Sequence, residues 1–232
     1  MKNAITYLLV FIAIQVGIGA VVPLVWQLFS PGHDVTAMQL TVTLVVVDIV
    51  SIVLFLLARW AVVSPAYLRS RPWMTFFWAV LAALGALIPS AWLQEQLPDL
   101  PNVVKDQFKM LLGTPIGYAA IGVMAPLCEE LVFRGAILRT LLGSWKQRPW
   151  LAIAVSAVMF AVIHFNPAQM LHPFLIGLLL GWMYYRTDSI LPGVVYHWVN
   201  NTAAFVVYRF YPNEDLKLID YFGGSQTHVW MA

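Results

Sequence analysis

Long apolar runs, broken by short polar segments, fill most of this chain. Because a helix needs about 20 mostly apolar residues to cross a bilayer, these runs predict membrane spans. Seven are expected, at about residues 4–29, 38–63, 72–93, 114–142, 150–165, 170–185 and 190–210. A short interfacial helix is predicted between the third and fourth spans, on the apolar positions Val103, Val104, Phe108, Leu111 and Leu112. The pattern therefore predicts an all-α fold, a polytopic bundle of transmembrane helices.

The composition supports a membrane protein and argues against a nucleic-acid partner. Of the 232 residues, 61% are hydrophobic and 10% are charged, whereas a soluble domain carries about 25% charged residues. The mean hydropathy is +0.78, and a net charge of +2 is too small to indicate nucleic-acid binding. Apolar spans take up nearly all of the chain, so we expect one membrane domain over residues 1–232 in contact with the lipid bilayer.

Basic residues predict the orientation of the chain. The first apolar run exceeds the apolar region of a secretory signal, about 7–15 residues, so we expect it to be retained as a span. If the N-terminus lies inside, eight of the 13 Lys and Arg residues fall on the cytoplasmic side and four on the other. The eight are Lys2, Arg59, Arg69, Arg71, Arg139, Lys146, Arg148 and Arg186. This bias predicts a multi-pass protein of the cell membrane with a cytoplasmic N-terminus.

The fourth span contains two adjacent acids and an arginine. A charge at bilayer depth costs roughly 2.5–3.5 kcal/mol on insertion scales, so such groups need partners or a function. Glu130 and Arg134 are four residues apart, lie on nearly the same helix face and are predicted to pair. Glu129 faces elsewhere. Because two adjacent carboxylates do not both ionise cheaply in a low dielectric, Arg134 favours the charge on Glu130 and leaves Glu129 suited to general-base work.

Two later spans offer polar groups that complement Glu129. His164 lies near the end of the fifth span, and His197 and Asn201 lie on one face of the seventh, four residues apart. Two converging donors suit the oxyanion of a tetrahedral intermediate, which predicts that role for His197 and Asn201. Glu129 with His164 would hold and deprotonate a water, so that neither Ser nor Cys is needed as a nucleophile. A buried Glu–Arg pair is more often structural, so Glu130 and Arg134 are expected to support the site.

Several other polar residues are alternative candidates for a functional role. Asp48, in the second span, is expected to have a hydrogen-bonded structural role, with a further catalytic acid as the alternative. Cys128 is expected to pack, with a Cys–His nucleophile as the minor alternative. The histidines in or near loops are given no role: His33, His172 and His228. No cofactor is expected; a metal held by Glu129, His164 and His197, which are acceptable zinc ligands, is favoured less than direct water activation.

Three motifs together resemble a known family. Glu129-Glu130-x-x-x-Arg134, Phe160-x-x-x-His164 and His197-x-x-x-Asn201, in that order, resemble the CPBP family. That family comprises the CAAX prenyl endopeptidases and the bacteriocin-processing or abortive-infection (Abi) proteins. The resemblance covers residues 113–210, taken here as the catalytic core, and leaves residues 1–112 as N-terminal spans.

The resemblance implies an intramembrane glutamate protease on an all-helical fold. Position by position, the catalytic glutamate falls on Glu129, the water-binding histidine on His164, and the oxyanion-side residues on His197 and Asn201. We therefore expect a metal-independent endopeptidase that hydrolyses a peptide bond of a membrane-associated protein or peptide. The alternatives are a non-enzymatic membrane scaffold or bacteriocin-immunity protein, a zinc-dependent variant of the same protease, and a proton-coupled transporter.

Overall fold

The computed structural model describes residues 2–32, 34–98, 100–213 and 216–231, and His33 lies outside them. The first five helices are α1 (Lys2–Phe29), α2 (Ala37–Leu57), α3 (Pro65–Arg69), α4 (Trp73–Glu95) and α5 (Lys105–Leu112). The long helix α6 (Pro115–Ser144) follows. The remaining helices are α7 (Pro149–Val162), α8 (Leu171–Thr187), α9 (Leu191–Phe210), α10 (Leu218–Tyr221) and α11 (Gln226–Met231). No strand occurs among the described residues, and the all-α prediction is confirmed.

Four helices are long and apolar enough to cross a bilayer, namely α1, α2, α4 and α6. Helix α7 is apolar but has only 14 residues. The protein is therefore a multi-pass membrane protein. Seven spans stay a prediction. Helices α7 and α8 have only 14 and 17 residues, and α9 is long enough but is not among the four sufficiently apolar helices.

The second predicted span is longer than the helix that forms there. Helix α2 ends at Leu57 rather than at residue 63. Arg59 adopts a left-handed backbone conformation with φ of 57°, which interrupts a right-handed helix. The apolar residues that follow Arg59 keep the hydropathy high without continuing the helix. The sequence pattern also missed α3, α10 and α11, which are too short to show a helical period.

Helix α6 lies at the centre of the bundle. It contacts α1, α2, α7, α8 and α9, and every residue of its segment Leu131–Leu138 is buried. Two segments of α6 are π-helical, Ala119–Met124 and Leu131–Leu138. The acidic pair lies between these two segments, in Ala125–Glu130. Because π-helical segments shift the hydrogen-bond register and are frequent at functional sites, they indicate that this part of α6 is functional.

Helices α7 and α8 pack closely through glycine. A Cβ atom added at Gly181 would lie 2.9 Å from Cγ2 of Ile153, and one added at Gly177 would lie 3.1 Å from Cα of Ala157. The absence of a side chain at both positions lets the two backbones approach. This contact brings the carbonyl group of Gly177 next to α6, where it forms part of the site.

Candidate active site

A cavity of about 350 Å³ opens inside the bundle, beside α6, α7, α8 and α9. The four residues predicted to be catalytic all line it: Glu129, His164, His197 and Asn201. The sequence placed them on three different spans, and the fold brings those spans around one space. Their catalytic roles stay a prediction, whereas their common location is a feature of the structure.

Glu130 and Arg134 form a buried ion pair, as their spacing predicted. Nη1 of Arg134 donates to Oε1 of Glu130 over 2.7 Å, and the two side chains are 1% and 0% exposed. Nη2 of Arg134 also donates to the carbonyl oxygen of Gly177 over 3.2 Å. The guanidinium carbon lies 4.6 Å from the ring centroid of Phe160, a cation–π distance. One arginine therefore ties α6 to both α7 and α8.

The second oxygen of Glu130 lies against α9. Oε2 is buried and has no hydrogen-bond partner within the described part of the chain. A Cβ atom added at Gly193 would lie 2.6 Å from this oxygen. Glycine is therefore needed at position 193 to leave room for the carboxylate, a requirement that the motif spacing did not reveal.

His197 lies between the two glutamates. Its Nε2 atom is 3.8 Å from Oε2 of Glu129, and its Nδ1 atom is 3.4 Å from Oε1 of Glu130. The side chain of His197 is 5% exposed, and that of Glu129 is 17% exposed. Glu130 is thus held by Arg134 on the buried side, while Glu129 keeps contact with the cavity. The different surroundings of the two acids match the division that helical geometry suggested.

The backbone of α7 sets the orientation of His164. Nδ1 of His164 is 2.8 Å from the carbonyl oxygen of Phe160. Because a carbonyl only accepts, Nδ1 carries the hydrogen, and Nε2 of the neutral ring is an acceptor. Helix α7 ends just before His164, at Val162. The aromatic ring of Phe160 makes edge contacts with both His164 and His197, at centroid distances of 5.1 and 5.9 Å.

Asn201 reaches α6 at its first π-helical segment. Nδ2 of Asn201 donates to the carbonyl oxygen of Ile121 over 2.8 Å. In this segment the backbone N–H of Ala125 bonds to the carbonyl of Ala120, five residues back. The same register would pair Ile121 with residue 126, which is proline and has no N–H. The Ile121 carbonyl is therefore left for a side chain, and Asn201 satisfies it.

Two residues of the cavity were missed from the sequence. His172 was given no role because it lies near a loop, yet its side chain lines the cavity from the first turn of α8. Asn200, the neighbour of Asn201, also lines it. The sequence did contain a signal for Asn200, which is a second amide side chain inside an apolar helix. The hydrophobic periodicity contained no signal for His172.

The remaining candidates do not line the cavity. Asp48 is buried on α2, where its carboxyl group interacts with the thiol of Cys128 and with the charge of Glu129. Cys128 is itself fully buried, which fits packing. His228 is exposed on α11. Among the residues that the structure describes, no group of three His, Cys, Asp or Glu side chains is arranged to hold a metal ion.

Comparison with known proteins supports the resemblance. The family model of type II CAAX prenyl endopeptidase Rce1-like proteins matches residues 112–203, the segment that contains all four predicted catalytic residues. Over residues 112–203 the chain is therefore similar to the CAAX-type proteases that its three motifs resemble. A curated relative from Lactococcus lactis subsp. lactis (strain IL1403), UPF0177 protein YxdF, is 31% identical over 78 residues. That match covers 33% of this chain and 41% of the relative, so it spans about two fifths of the relative's length. No solved structure matches this chain significantly.

A second, larger cavity adjoins the site. It has a volume of about 610 Å³ and shares the lining residues Phe108, Leu112, Gln169 and Ala204 with the first cavity. Helix α10 forms part of its wall through Leu218 and Tyr221. The backbone N–H of Leu218 donates to Oε1 of Glu95 on α4 over 2.5 Å, which holds that wall in place.

Proposed function

We propose that this chain is an intramembrane, metal-independent endopeptidase that cleaves a membrane-associated protein or peptide by activating a water. The observation that carries the proposal is the single cavity lined by Glu129, His164, His197 and Asn201. Helices α6 and α9 and the turn that follows α7 contribute these groups, and each group has the chemistry that one step of peptide hydrolysis requires. The match of residues 112–203 to a CAAX-type protease family supports the same reaction class.

In the proposed reaction, the carboxylate of Glu129 takes a proton from a water. The oxygen of that water attacks the carbonyl carbon of the peptide bond and forms a tetrahedral intermediate. The acceptor atom Nε2 of His164 orients the water, since Nδ1 is committed to the carbonyl of Phe160. Glu129 then returns the proton to the amide nitrogen as the C–N bond breaks.

Two donors stabilise the negative oxygen of this intermediate. They are a ring N–H of His197 and the second N–H of the Asn201 amide, whose first N–H is held by Ile121. Loss of one oxyanion donor costs about 10²–10³ in kcat where it has been measured in other hydrolases. Glu130 and Arg134 are proposed to fix α6 and the position of His197 rather than to touch the substrate.

The lining of the adjoining cavity supports the proposal that the substrate is membrane-associated. It is lined mainly by aliphatic and aromatic side chains, including Leu87, Ile88, Val207 and Phe222. Such a surface favours an apolar segment of the substrate, because burial stabilises it by about 25 cal/mol per Å². The peptide bond next to that segment would then lie in the smaller cavity beside Glu129.

Comparative proteomics of membranes tests the proposal. Cells that carry the wild-type protein are compared with cells that carry Glu129→Gln, with Asp106→Asn as a control because Asp106 is exposed on α5. We expect a peptide that is shortened in wild-type and control membranes and intact with Glu129→Gln. An unchanged set of peptides would contradict the proposal. A biological effect that survives Glu129→Gln would indicate a scaffold or immunity protein, and chelator-sensitive cleavage would indicate the zinc-dependent variant.

We also propose that the protein resides in the cell membrane with its N-terminus in the cytoplasm. Because Cys128 is buried, a single added cysteine can be labelled selectively with a reagent that does not cross membranes. Asn3→Cys and Gln147→Cys should be protected in intact cells, and Gln107→Cys should react. Labelling of Asn3→Cys in intact cells would overturn the orientation.

A further inference from the structure

A chain of side-chain hydrogen bonds runs along the wall of the cavity, from α9 to α4. Nδ2 of Asn200 lies 3.3 Å from Oδ1 of Asn201 and 3.2 Å from Nε2 of His172. Nδ1 of His172 lies 2.5 Å from the hydroxyl oxygen of Ser90. The far end of the chain is the bond from Asn201 to the carbonyl of Ile121. Four side chains on three helices are thus connected in series.

The Ile121 carbonyl determines the direction of every bond in this chain. A carbonyl only accepts, so Asn201 must present its NH₂ group to Ile121 and its oxygen to Asn200. Asn200 must then present its own NH₂ group to that oxygen. The two hydrogens of this NH₂ group serve Asn201 and His172, and Nε2 of His172 is therefore an acceptor. Nδ1 of the neutral His172 ring carries the hydrogen and donates it to Ser90.

The amide of Asn200 is therefore held from both sides. If His172 offered no acceptor, one hydrogen of the Asn200 amide would lose its partner, and the amide would be free to rotate. A rotated Asn200 would present its oxygen to the oxygen of Asn201, and the repulsion would turn Asn201 away from Ile121. The amide hydrogen of Asn201 that faces the cavity would then be replaced by an oxygen.

We propose that His172 is a positioning residue, which acts through Asn200 to keep the N–H group of Asn201 directed into the cavity. The inference rests on the proposed function, since it assigns that N–H group to the oxyanion of peptide hydrolysis. His172 is not a catalytic residue in this account, because both of its ring nitrogens are engaged by protein side chains. Ser90 and Asn200 complete the support.

The test compares two replacements of His172 in the purified full-length protein, acting on the peptide identified by proteomics. His172→Leu removes the acceptor, and we expect kcat to fall about 10- to 100-fold, as when supporting partners of other active sites are removed. KM should stay unchanged, because the donor acts on the transition state more than on the bound substrate. His172→Gln retains an acceptor oxygen for Asn200 and should recover most of kcat. His228→Leu, at an exposed histidine on α11, serves as the matched control.

A role in packing alone predicts a different result. It would lower the folded yield of both His172 variants and would not separate kcat from KM. If His172→Leu fails to fold, Asn200→Ala breaks the chain at the next residue and should give the same loss of kcat. Equal kcat in wild-type, His172→Leu and Asn200→Ala proteins would overturn the inference and leave the proposed function intact. A wild-type protein that cleaves nothing would overturn both.

The tautomer of His172 gives a readout that does not depend on activity. Nitrogen NMR of histidine-labelled protein, with the signal assigned by its absence in His172→Gln, should show hydrogen on Nδ1 and an unprotonated Nε2. Hydrogen on Nε2 of the neutral ring would reverse the donor and acceptor roles along this series of hydrogen bonds and contradict the inference.

Discussion

Replacing Arg134 by methionine removes the cation that neutralises Glu130 while keeping an apolar stem of similar length. Both side chains are buried, at 1% and 0% exposure, so the remaining carboxylate would have neither water nor a counter-ion. Removing one partner of a buried pair costs about 3–5 kcal/mol. The same substitution removes the bond to Gly177 and the contact with Phe160. We therefore expect Arg134→Met to lower the free energy of unfolding by about 3–5 kcal/mol.

A double-mutant cycle separates the stranded charge from lost packing. Glu130→Gln in the Arg134→Met background removes the unpaired charge, so the double variant should be less destabilised than the sum of the single variants. Directly paired residues show coupling energies of about 0.5–3 kcal/mol. Reversible unfolding in mixed micelles measures all four free energies. The control is Arg139→Met, because Arg139 is exposed on the same helix and should change stability by no more than about 0.5 kcal/mol.

Two results would refute this reasoning. If Arg134→Met were as stable as Arg139→Met, the pair would not be what holds α6 to its neighbours. If the double variant lost the full sum of the two single losses, Glu130 and Arg134 would be energetically independent despite their 2.7 Å contact.

Three further substitutions test the packing and the division of roles. Gly193→Ala places a methyl group 2.6 Å from Oε2 of Glu130; we expect both the folded yield and cleavage to fall, and unchanged cleavage would show that the carboxylate moves freely. Gly181→Leu should cost about 1–3 kcal/mol of stability by forcing α7 and α8 apart, whereas Gly143→Leu faces open space and should cost little; equal melting temperatures would contradict the close contact. Asp48→Asn keeps the shape and hydrogen-bonding capacity of a buried side chain and should retain cleavage, so a loss as large as that of Glu129→Gln would make Asp48 catalytic.

The parts of the site that could be predicted from the sequence are those set by helical geometry. A spacing of four residues was enough to predict the contact between Glu130 and Arg134. Intramembrane polar groups are costly, and that cost alone was enough to single out Glu129, His164 and His197. The pair forms although α6 is π-helical from Leu131 to Leu138, because the long arginine side chain still reaches Glu130 despite the change of register.

The parts that could not be predicted depend on tertiary contacts. His172 precedes Pro173 at the start of α8, and only the approach of α4 and α9 gives it partners. The need for glycine at position 193 arises from a carboxylate 63 positions earlier in the chain. The end of α2 depends on the left-handed backbone at Arg59, which hydropathy does not report.

Cleavage of the identified peptide by purified protein in proteoliposomes shows whether Glu129 activates the water. We expect wild-type and Asp106→Asn proteins to cleave at equal rates. Glu129→Gln should lower kcat by at least about 10²–10⁴-fold, the contribution of a positioned general base, while remaining folded. Cleavage by folded Glu129→Gln at the wild-type rate would contradict the account, because Glu129 would then not be the group that activates water.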